Sequence, residues 1–349
     1  MARNATNKLL QKAKKSKSDE FYTQLCDIES ELEHYKIHFR NKVVFCNCDD
    51  PLISNFFNYF ASNFEELGLK KLIAACYKEP IENSIKSIDN ESGYYYEYNG
   101  HLDEKCKPTL SDIVYFNGDG DFRNDESIEL LKQSDIIVTN PPFSLFREYL
   151  AQLVSYKKKF LIIGNVNAIT YKEVFPLIRA NKMWSGATIS SGDREFQVPE
   201  HYPLNASGFR VDEDGNKFIR VKGVRWFTNF DHGRRHEPLQ LMNMDDNLRF
   251  NKKMQGKESY DRYDNYDAIE VPFTNAIPSD YFGVMGVPIS FLDKYNPEQF
   301  EILGATESEG RGFSNGLWIT DSKVTQALIN GNKVYKRIFI RHVTTLTLN

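Results

Sequence analysis

The sequence feature that most constrains this chain is a short apolar run that ends in two consecutive prolines, Ile136-Ile137-Val138-Thr139-Asn140-Pro141-Pro142-Phe143. A β-branched run of this length is typical of a strand buried on both faces of a parallel sheet. Proline lacks an N–H and has a fixed φ, and the residue before it avoids the helical region. We therefore predict a strand and then a stiff loop that aims the amide of Asn140, with Ser144 capping the following helix.

The Asn-Pro-Pro-Phe loop offers suitable chemistry for an exocyclic amino group on a nucleobase. The lone pair of such a nitrogen is delocalised into the ring, so a catalyst must localise it. The side-chain oxygen of Asn140 and the carbonyl of Pro141 could each accept one N–H, while Pro142 stiffens the loop and Phe143 stacks on the base. An ordinary turn is the alternative, because Asn and Pro are common in turns. We favour catalysis because the loop follows the carboxyl end of a buried strand, where open α/β sheets bind ligands.

Composition sets the class of protein. The chain has 349 residues and 41% hydrophobic content, enough for one large domain or two smaller ones. Short apolar runs alternate with helical patterns, which predicts an α/β fold with a mostly parallel, doubly wound sheet. We expect a cytoplasmic protein, because the sequence has neither a run of about 18 apolar residues nor the apolar segment of a signal peptide. Five cysteines, an odd number, favour reduced thiols.

The charge distribution indicates local rather than general binding of nucleic acid. A net charge of −4 argues against a surface that binds polyanions everywhere. Residues 1–18 are lysine-rich and contain no acidic residue, which predicts a flexible arm, although a merely solvated tail is an equally good interpretation. The candidate DNA contacts are Lys14, Lys15, Arg234, Arg235, Lys336 and Arg337.

Several stretches, together with the Asn-Pro-Pro-Phe loop, resemble the EcoRI-type family of adenine-specific DNA methyltransferases over essentially the whole chain. They are residues 1–10, Ser18-Asp19-Glu20-Phe21-Tyr22-Thr23, Cys46-Asn47-Cys48-Asp49-Asp50-Pro51 and Gly283-Val284-Met285-Gly286-Val287-Pro288. The resemblance implies a Rossmann-like class I S-adenosylmethionine-dependent methyltransferase fold with a C-terminal target-recognition region. It also implies methylation of adenine N6 in double-stranded DNA at GAATTC, with base flipping, in a restriction-modification system. We accordingly expect an arm (1–18), a catalytic domain (19–230) and a DNA target-recognition region (231–349).

The resemblance also assigns residues to the cofactor. The loop at Asn140 corresponds to motif IV, Tyr22 and Thr23 to motif X, and Asp121 to motif III, where it would accept from the cofactor's adenine. Motif I normally has a glycine-rich turn, and this chain has none at Asn47–Asp50, so side chains are expected to make those contacts. The expected cofactor contacts are Tyr22, Thr23, Asn47, Cys48, Asp49, Asp50, Asp121, Phe122 and Asn140. We expect no metal and a monomer without an obligate protein partner.

Three further patterns predict local structure. The tyrosine-rich run Tyr94–Gly100 is expected to form a hairpin arm whose tyrosines could stack on nucleotides, although a local sheet face is the better interpretation of those tyrosines. The Gly208–Phe230 stretch has a hairpin signature around Asp212–Asn216 and is expected to supply an antiparallel edge to the sheet. The charged stretch from His232 to Lys257 is expected to be loop-like.

Other functions remain open on the sequence alone. An RNA guanine-N2 methyltransferase or a glutamine-modifying protein methyltransferase would suit the same loop. A non-catalytic nucleic-acid-binding protein with the same fold belongs to a different class. A C5-cytosine methyltransferase is disfavoured because no cysteine stands beside Pro141 and Pro142 to attack the ring.

Overall fold

The computed structural model describes residues 22–78, 92–100, 107–188, 193–198, 208–306, 313–314, 316–319 and 324–343. Lys14 and Lys15, with the predicted arm, lie outside the described residues. The chain divides into two compact units, one of Met1–Asn165 with Ser191–Phe230 and one of Val166–Ser190 with Asp231–Asn349. One boundary between the two units falls after Phe230, and the assignment of the units to catalysis and to DNA recognition stays a prediction. Val166–Ser190, however, belongs to the second unit, whereas we expected it in the catalytic domain.

Helices and strands alternate through the first half of the chain. The α-helices are α1 (Leu25–Leu32), α2 (Asn55–Ser62), α3 (Phe64–Leu67), α4 (Asp125–Gln133), α5 (Phe146–Ser155), α6 (Phe175–Arg179) and α7 (Met244–Phe250). The 3-10 helices are Glu33–His38, Phe143–Leu145, Val166–Thr170, Gly233–His236, Thr274–Ala276 and Ile289–Lys294. None of the helices in the described part of the chain is long and apolar enough to cross a membrane.

The strands are numbered in chain order. They are β1 (Val43–Cys46), β2 (Lys71–Cys76), β3 (Tyr94–Tyr98), β4 (Val114–Tyr115), β5 (Ile136–Thr139), β6 (Lys159–Asn165), β7 (Trp184–Ser185), β8 (Asp193–Val198), β9 (Arg210–Val211), β10 (Lys217–Lys222), β11 (Val224–Thr228), β12 (Ile269–Glu270), β13 (Met285–Pro288), β14 (Phe300–Ala305), β15 (Leu328–Ile329), β16 (Asn332–Lys333) and β17 (Arg337–His342).

A large mixed sheet forms the centre of the first unit, where its strands lie in the order β4-β3-β2-β1-β5-β6-β11. Strands β2, β1, β5 and β6 run parallel, while β3 and β11 are antiparallel to β2 and β6. The chain moves outward from β1 to β4 and then crosses back to β5 on the other side of β1. The β1–β5 pair is therefore the point at which the strand order reverses, and open α/β sheets bind ligands at such a point.

Buried apolar strands explain why this sheet forms. Every residue of β1 and β5 is buried, as continuous apolar runs in a parallel sheet require. Phe56 of α2 packs edge-to-face on Trp226 with ring centroids 5.9 Å apart, and Phe146 of α5 packs on Phe227 at 5.4 Å. Trp226 and Phe227 are consecutive residues of β11, so they point to opposite faces of the sheet. Helices α2 and α5 therefore cover opposite faces.

Three local predictions need correction. The run Tyr94–Tyr98 is β3, which lies between β2 and β4 with Tyr94 and Tyr98 buried, so it is not a hairpin arm. Helix α5 begins at Phe146 after a 3-10 turn, and Leu145, not Ser144, occupies the N-cap position. The hairpin around Asp212–Asn216 does form, as β9 and β10, but β10 also pairs with β8, so the hairpin belongs to a separate sheet. The antiparallel strand beside β6 is β11, which also lies within Gly208–Phe230, so this stretch supplies the expected antiparallel strand but not through its hairpin.

The second unit contains a smaller sheet with the strand order β12-β13-β17-β14. Tyr263, Tyr266 and Phe339 form the centre of its core. The charged stretch predicted as a loop contains α7, whose first turn is capped by the side chain of Asn243 accepting from the N–H of Asp246 at 2.7 Å. Its high polarity concealed this helix from a reading based on apolar periodicity.

Candidate active site

Two loops meet where the strand order reverses. Asn140 directly follows β5, and the segment Asn47–Asp50 directly follows β1, its parallel neighbour. The carboxyl ends of neighbouring parallel strands lie at the same edge of the sheet, which brings the two loops together. Asn140 is only 9% exposed and Asn47 only 5% exposed. The predicted catalytic amide thus stands in a buried polar environment.

The carboxylate of Asp49 is the centre of a hydrogen-bond network between these loops. It accepts from the hydroxyl of Thr139, from Ser54 Oγ at 2.9 Å and from the backbone N–H of Asn140. The Thr139 hydroxyl in turn accepts from the backbone N–H of Cys48 at 3.2 Å. Both oxygens of Asp49 therefore accept hydrogen bonds inside the protein, and its role as a cofactor contact stays a prediction.

Burial determines the protonation of this cluster. Burial raises the pKa of Asp49 to about 7, although the hydrogen bonds from Thr139, Ser54 and Asn140 favour the charged form. Burial also raises the pKa of the Cys48 thiol and of the Tyr149 phenol well above their usual ranges, and nearby negative charge adds to both effects. Near neutral pH the thiol and the phenol are therefore uncharged, and Asp49 is at its titration point.

Side chains replace the missing glycine-rich turn after β1. Asp50 accepts from the Tyr94 hydroxyl at 2.7 Å and from the N–H of Leu52 at 2.9 Å. The side-chain oxygen of Asn47 accepts from the hydroxyl of Tyr149 on α5. The segment is thus tied to β3 and to α5, which holds it rigid without the close backbone approach that glycine allows.

Thr23 presents a buried hydroxyl that has no hydrogen-bond partner within the described residues. The side chain is 4% exposed, and its backbone carbonyl accepts from Asn55 Nδ2, at the start of α2, at 2.8 Å. Tyr22 beside it pairs with Gln197 through a backbone bridge. A buried hydroxyl without a protein partner is rare and indicates a site for a ligand or a bound water.

The predicted motif III residues lie close to the same cluster. Asp121 is bound by Arg123 through Nε at 2.9 Å and through a terminal nitrogen at 2.6 Å. Burial opposes the charge of Asp121, but the bonds from Arg123 outweigh it and lower the pKa. Phe122 is buried and meets Tyr149 edge-to-face at 5.1 Å. Tyr149 therefore connects Phe122 with Asn47.

The Pro-Pro-Phe part of the loop leads into α5. Pro141 is buried, whereas Pro142 and Phe143 are partly exposed. Phe146 follows at the start of α5, and its ring lies so close to Gly164 of β6 that a Cβ at Gly164 would stand 2.5 Å from it. This close contact between α5 and β6 at Gly164 fixes the position at which the Asn-Pro-Pro-Phe loop joins α5.

Comparison with known proteins identifies the family. The family model described as adenine-specific methyltransferase EcoRI matches residues 9–343. The chain belongs to this family. It is 56% identical over 345 residues to Type II methyltransferase M.EcoRI of Escherichia coli, covering 98% of each chain. It is 36% identical over 344 residues to Type II methyltransferase M.MgeORF184P of Mycoplasma genitalium, covering 95% of this chain and 97% of that protein. Type II methyltransferase M.MpnI of Mycoplasma pneumoniae is 40% identical over 296 residues, 84% of each chain. No solved structure matches significantly.

Family membership makes the protein an adenine-specific DNA methyltransferase and confirms the resemblance found in the sequence. The three alternatives left open above, an RNA guanine-N2 enzyme, a glutamine-modifying enzyme and a non-catalytic binding protein, are therefore set aside. The family match does not assign individual residues. Their roles rest on the geometry described above and on the proposals below.

The candidate DNA-binding residues of this methyltransferase fall into two groups. Arg235 is buried, stacks on Trp184 with its guanidinium carbon 3.6 Å from the ring centroid, and binds Asp231 at 3.0 Å. Arg337 is buried and bonds Glu270 at 2.6 Å through a terminal nitrogen. Both arginines are buried, and their N–H groups form bonds that stabilise the second unit. This argues against a DNA contact by either arginine.

Arg234 and Lys336 differ from these two arginines because their cationic groups are more accessible. Arg234 is exposed and donates to the carbonyl of Ala187 at 2.6 Å. Lys336 is partly exposed and donates to Thr170 Oγ1 at 2.7 Å. Arg234 keeps further donors for another acceptor, and Lys336 carries its cation at a partly exposed position, so both remain candidates for DNA contact.

Sequence reasoning missed Thr139, Ser54 and Tyr149, which complete the site. The signal for Thr139 was present, since a threonine ends an otherwise aliphatic strand. Its partner lies 90 residues earlier in the chain, so only the folded sheet reveals the bond.

Proposed function

We propose that this enzyme transfers a methyl group from S-adenosylmethionine to N6 of adenine within GAATTC in double-stranded DNA, as the protective half of a restriction-modification system. The observation that carries the proposal is the position of Asn140, buried beside Asn47–Asp50 at the reversal point of the sheet. The relatives named Type II methyltransferases support the restriction-modification context. The parallel central strands with an antiparallel β11 support assignment of the first unit to the class I methyltransferase fold.

The residues after β1 and at Thr23 suit the methyl donor. When bound, S-adenosylmethionine supplies an electrophilic methyl group on a sulfonium centre. The buried hydroxyl of Thr23, which has no partner among the described residues, provides a polar contact for it. Phe122 offers an apolar ring, and Asn47 and Asp50 offer oxygens that are already fixed in position by Tyr149 and Tyr94. No metal is needed for this reaction.

Asn140 and Pro141 provide the acceptors for the adenine amino group. The side-chain oxygen of Asn140 and the carbonyl of Pro141 each accept one N–H, which favours a tetrahedral nitrogen with a localised lone pair. A strong base is unnecessary, because the nitrogen becomes acidic as it gains the methyl group and loses its proton to water. The reaction therefore depends on orientation more than on acid or base chemistry.

A stacked adenine cannot reach an amide that is 9% exposed. The base must leave the duplex, at a cost of a few kcal/mol, before it can meet Asn140. Phe143, which is partly exposed beside the amide, is placed to stack on the flipped base. We assign target recognition to the second unit, in which Arg234 and Lys336 contact phosphate or a guanine edge. A single chain contributes Asn140, Thr139 and Asp49, so we propose that a monomer carries a complete site.

The test is transfer of radiolabelled methyl groups to paired duplexes that are identical except for the central adenine of GAATTC. The proposal predicts label only in the duplex with the intact site. Equal label in both duplexes would contradict the assigned site, and no label in either would contradict the proposed substrate.

A further inference from the structure

A single hydroxyl connects the two loops of the candidate site. Thr139, the last residue of β5, donates to the carboxylate of Asp49 and accepts from the N–H of Cys48 at 3.2 Å. The next residue, Asn140, donates its own N–H to the same carboxylate. We call this set, the Cys48 N–H, the Thr139 hydroxyl, the Asp49 carboxylate and the Asn140 N–H, the loop brace.

The loop brace costs free energy that ordinary packing would not require. Asp49 is 9% exposed, and removing a carboxylate from water is unfavourable unless donors compensate it. The donors of Thr139, Ser54 and Asn140 surround it, and no cationic side chain is among its hydrogen-bond partners in the described part of the chain. A pair of apolar residues would join β1 and β5 at lower cost. The presence of a buried acid at this position therefore indicates that the directional bonds matter.

The direction of these bonds fixes the backbone on both sides of the site. The bonds from Asn140 and Thr139 hold the start of the Asn-Pro-Pro-Phe loop, and the bond from Cys48 holds the segment after β1. The backbone N–H of Asp49 itself donates to the carbonyl of Ala75 on β2 at 3.0 Å. The brace thus anchors the two loops to each other and to three neighbouring strands.

We propose that Thr139 and Asp49 are positioning residues for methyl transfer, which hold the acceptors of Asn140 and Pro141 in fixed register with the methyl-donor segment Asn47–Asp50. This inference rests on the proposed function and deepens it. Neither residue needs to touch the base or the donor. In-line transfer tolerates little misalignment, and a displacement of about 1 Å can cost about a hundredfold in rate.

The same sheet offers a matched control for loss of a buried threonine hydroxyl. Thr228, the last residue of β11, is fully buried, donates to the carbonyl of Phe160 at 2.8 Å and accepts from the N–H of Phe230 at 3.0 Å. Its partner Phe160 lies near the start of β6, so Thr228 is at the opposite edge of the sheet from the site. Thr139→Val and Thr228→Val each remove one buried hydroxyl with two hydrogen bonds.

The experiment compares wild type, Thr139→Val, Thr139→Ser and Thr228→Val in three measurements. They are the single-turnover rate on the GAATTC duplex, calorimetric affinity for S-adenosylhomocysteine, and Tm. We expect both valine variants to lower Tm, but only Thr139→Val to lower the rate, by about 10- to 100-fold. Thr139→Ser, which keeps the hydroxyl, restores most of the rate. Affinity for S-adenosylhomocysteine falls less than the rate does in Thr139→Val.

Two outcomes overturn the loop brace while the proposed function stands. In the first, the wild type is active and Thr139→Val methylates DNA at the same rate. In the second, Thr228→Val loses as much of the methylation rate as Thr139→Val does. A wild type that transfers no label overturns the proposed function, and the brace with it. If Thr139→Val does not fold, Asp49→Asn carries the test. The side-chain amide of Asn places an N–H donor where one carboxylate oxygen of Asp49 accepts a hydrogen bond. A loss of rate of about 10- to 100-fold in Asp49→Asn therefore supports the brace, and an unchanged rate refutes it.

Discussion

Asp49 shows how the environment of one residue sets the chemistry of a site. Its neighbours with ionisable side chains are Asp50, Cys46, Cys48 and Tyr149. The pKa values of both thiols and of the phenol are raised well above their usual ranges by burial, so these groups stay neutral around pH 7. Asp49, with a pKa of about 7, is therefore the member of the cluster that changes charge near neutrality.

This leads to a predicted pH dependence. Above pH 7 the ionised carboxylate accepts from Thr139 and Asn140, while below pH 7 one oxygen carries a proton and one of these bonds weakens. We expect the single-turnover rate of the wild type, at saturating DNA and methyl donor, to fall as the pH is lowered from 8 to 6. Asp49→Asn should be slower at every pH and flat over that range. A wild-type rate that is constant from pH 6 to 8 would show that protonation of Asp49 does not affect the site.

At the scale of elements, the apolar run Ile136–Val138 was sufficient to predict the buried strand β5, because a strand covered on both faces must be apolar throughout. Such patterns were not sufficient at the surface of the sheet. The tyrosines of β3 are amphipathic, so their pattern fits an arm and a sheet strand equally well. The start of α5 was misplaced because a 3-10 turn uses the same residue types as a helix cap.

The contact between α5 and β6 predicts the effect of one methyl group. In Gly164→Ala the new Cβ would stand 2.5 Å from the ring of Phe146, which is itself buried and packed on Phe227. Overpacking of this kind costs about 1–3 kcal/mol. We expect a lower free energy of unfolding and, because Phe146 follows the catalytic loop, a lower methylation rate. Thermal denaturation measures the first effect, with Gly233→Ala, where nothing lies within 4 Å, as the neutral control. Equal stability of the two variants would contradict this account of the contact.

At the scale of the whole molecule, the sequence led us to expect a boundary after Phe230. It did not indicate that Val166–Ser190 belongs to the second unit. That segment packs within the second unit through contacts with residues far along the chain. Tyr335 donates to Asn167 at 3.1 Å and Lys336 donates to Thr170 at 2.7 Å. Contacts across more than 160 residues leave no periodic signal in the sequence. The burial of Arg337 could not be predicted from the sequence for the same reason.

Two arginines of the second unit should behave differently when truncated. Arg337→Ala leaves Glu270 as an unpaired buried charge, which costs about 3–5 kcal/mol in stability. Arg234→Ala, at an exposed position, should leave Tm nearly unchanged, weaken DNA binding and reduce the dependence of log K on log salt by about one unit. Denaturation and binding titrations at several salt concentrations measure both effects. A stable Arg337→Ala variant with weakened DNA binding would show that Arg337, not Arg234, contacts DNA.

The central claim is that the loop at Asn140 performs methyl transfer, and Asn140→Ala tests it most directly. The single-turnover methylation rate on the GAATTC duplex and the affinity for S-adenosylhomocysteine would be measured on the same preparation. The account predicts that methylation is abolished while the affinity stays close to that of the wild type, because the lost oxygen acts on the adenine amino group. A variant that still methylates at the wild-type rate would contradict the claim.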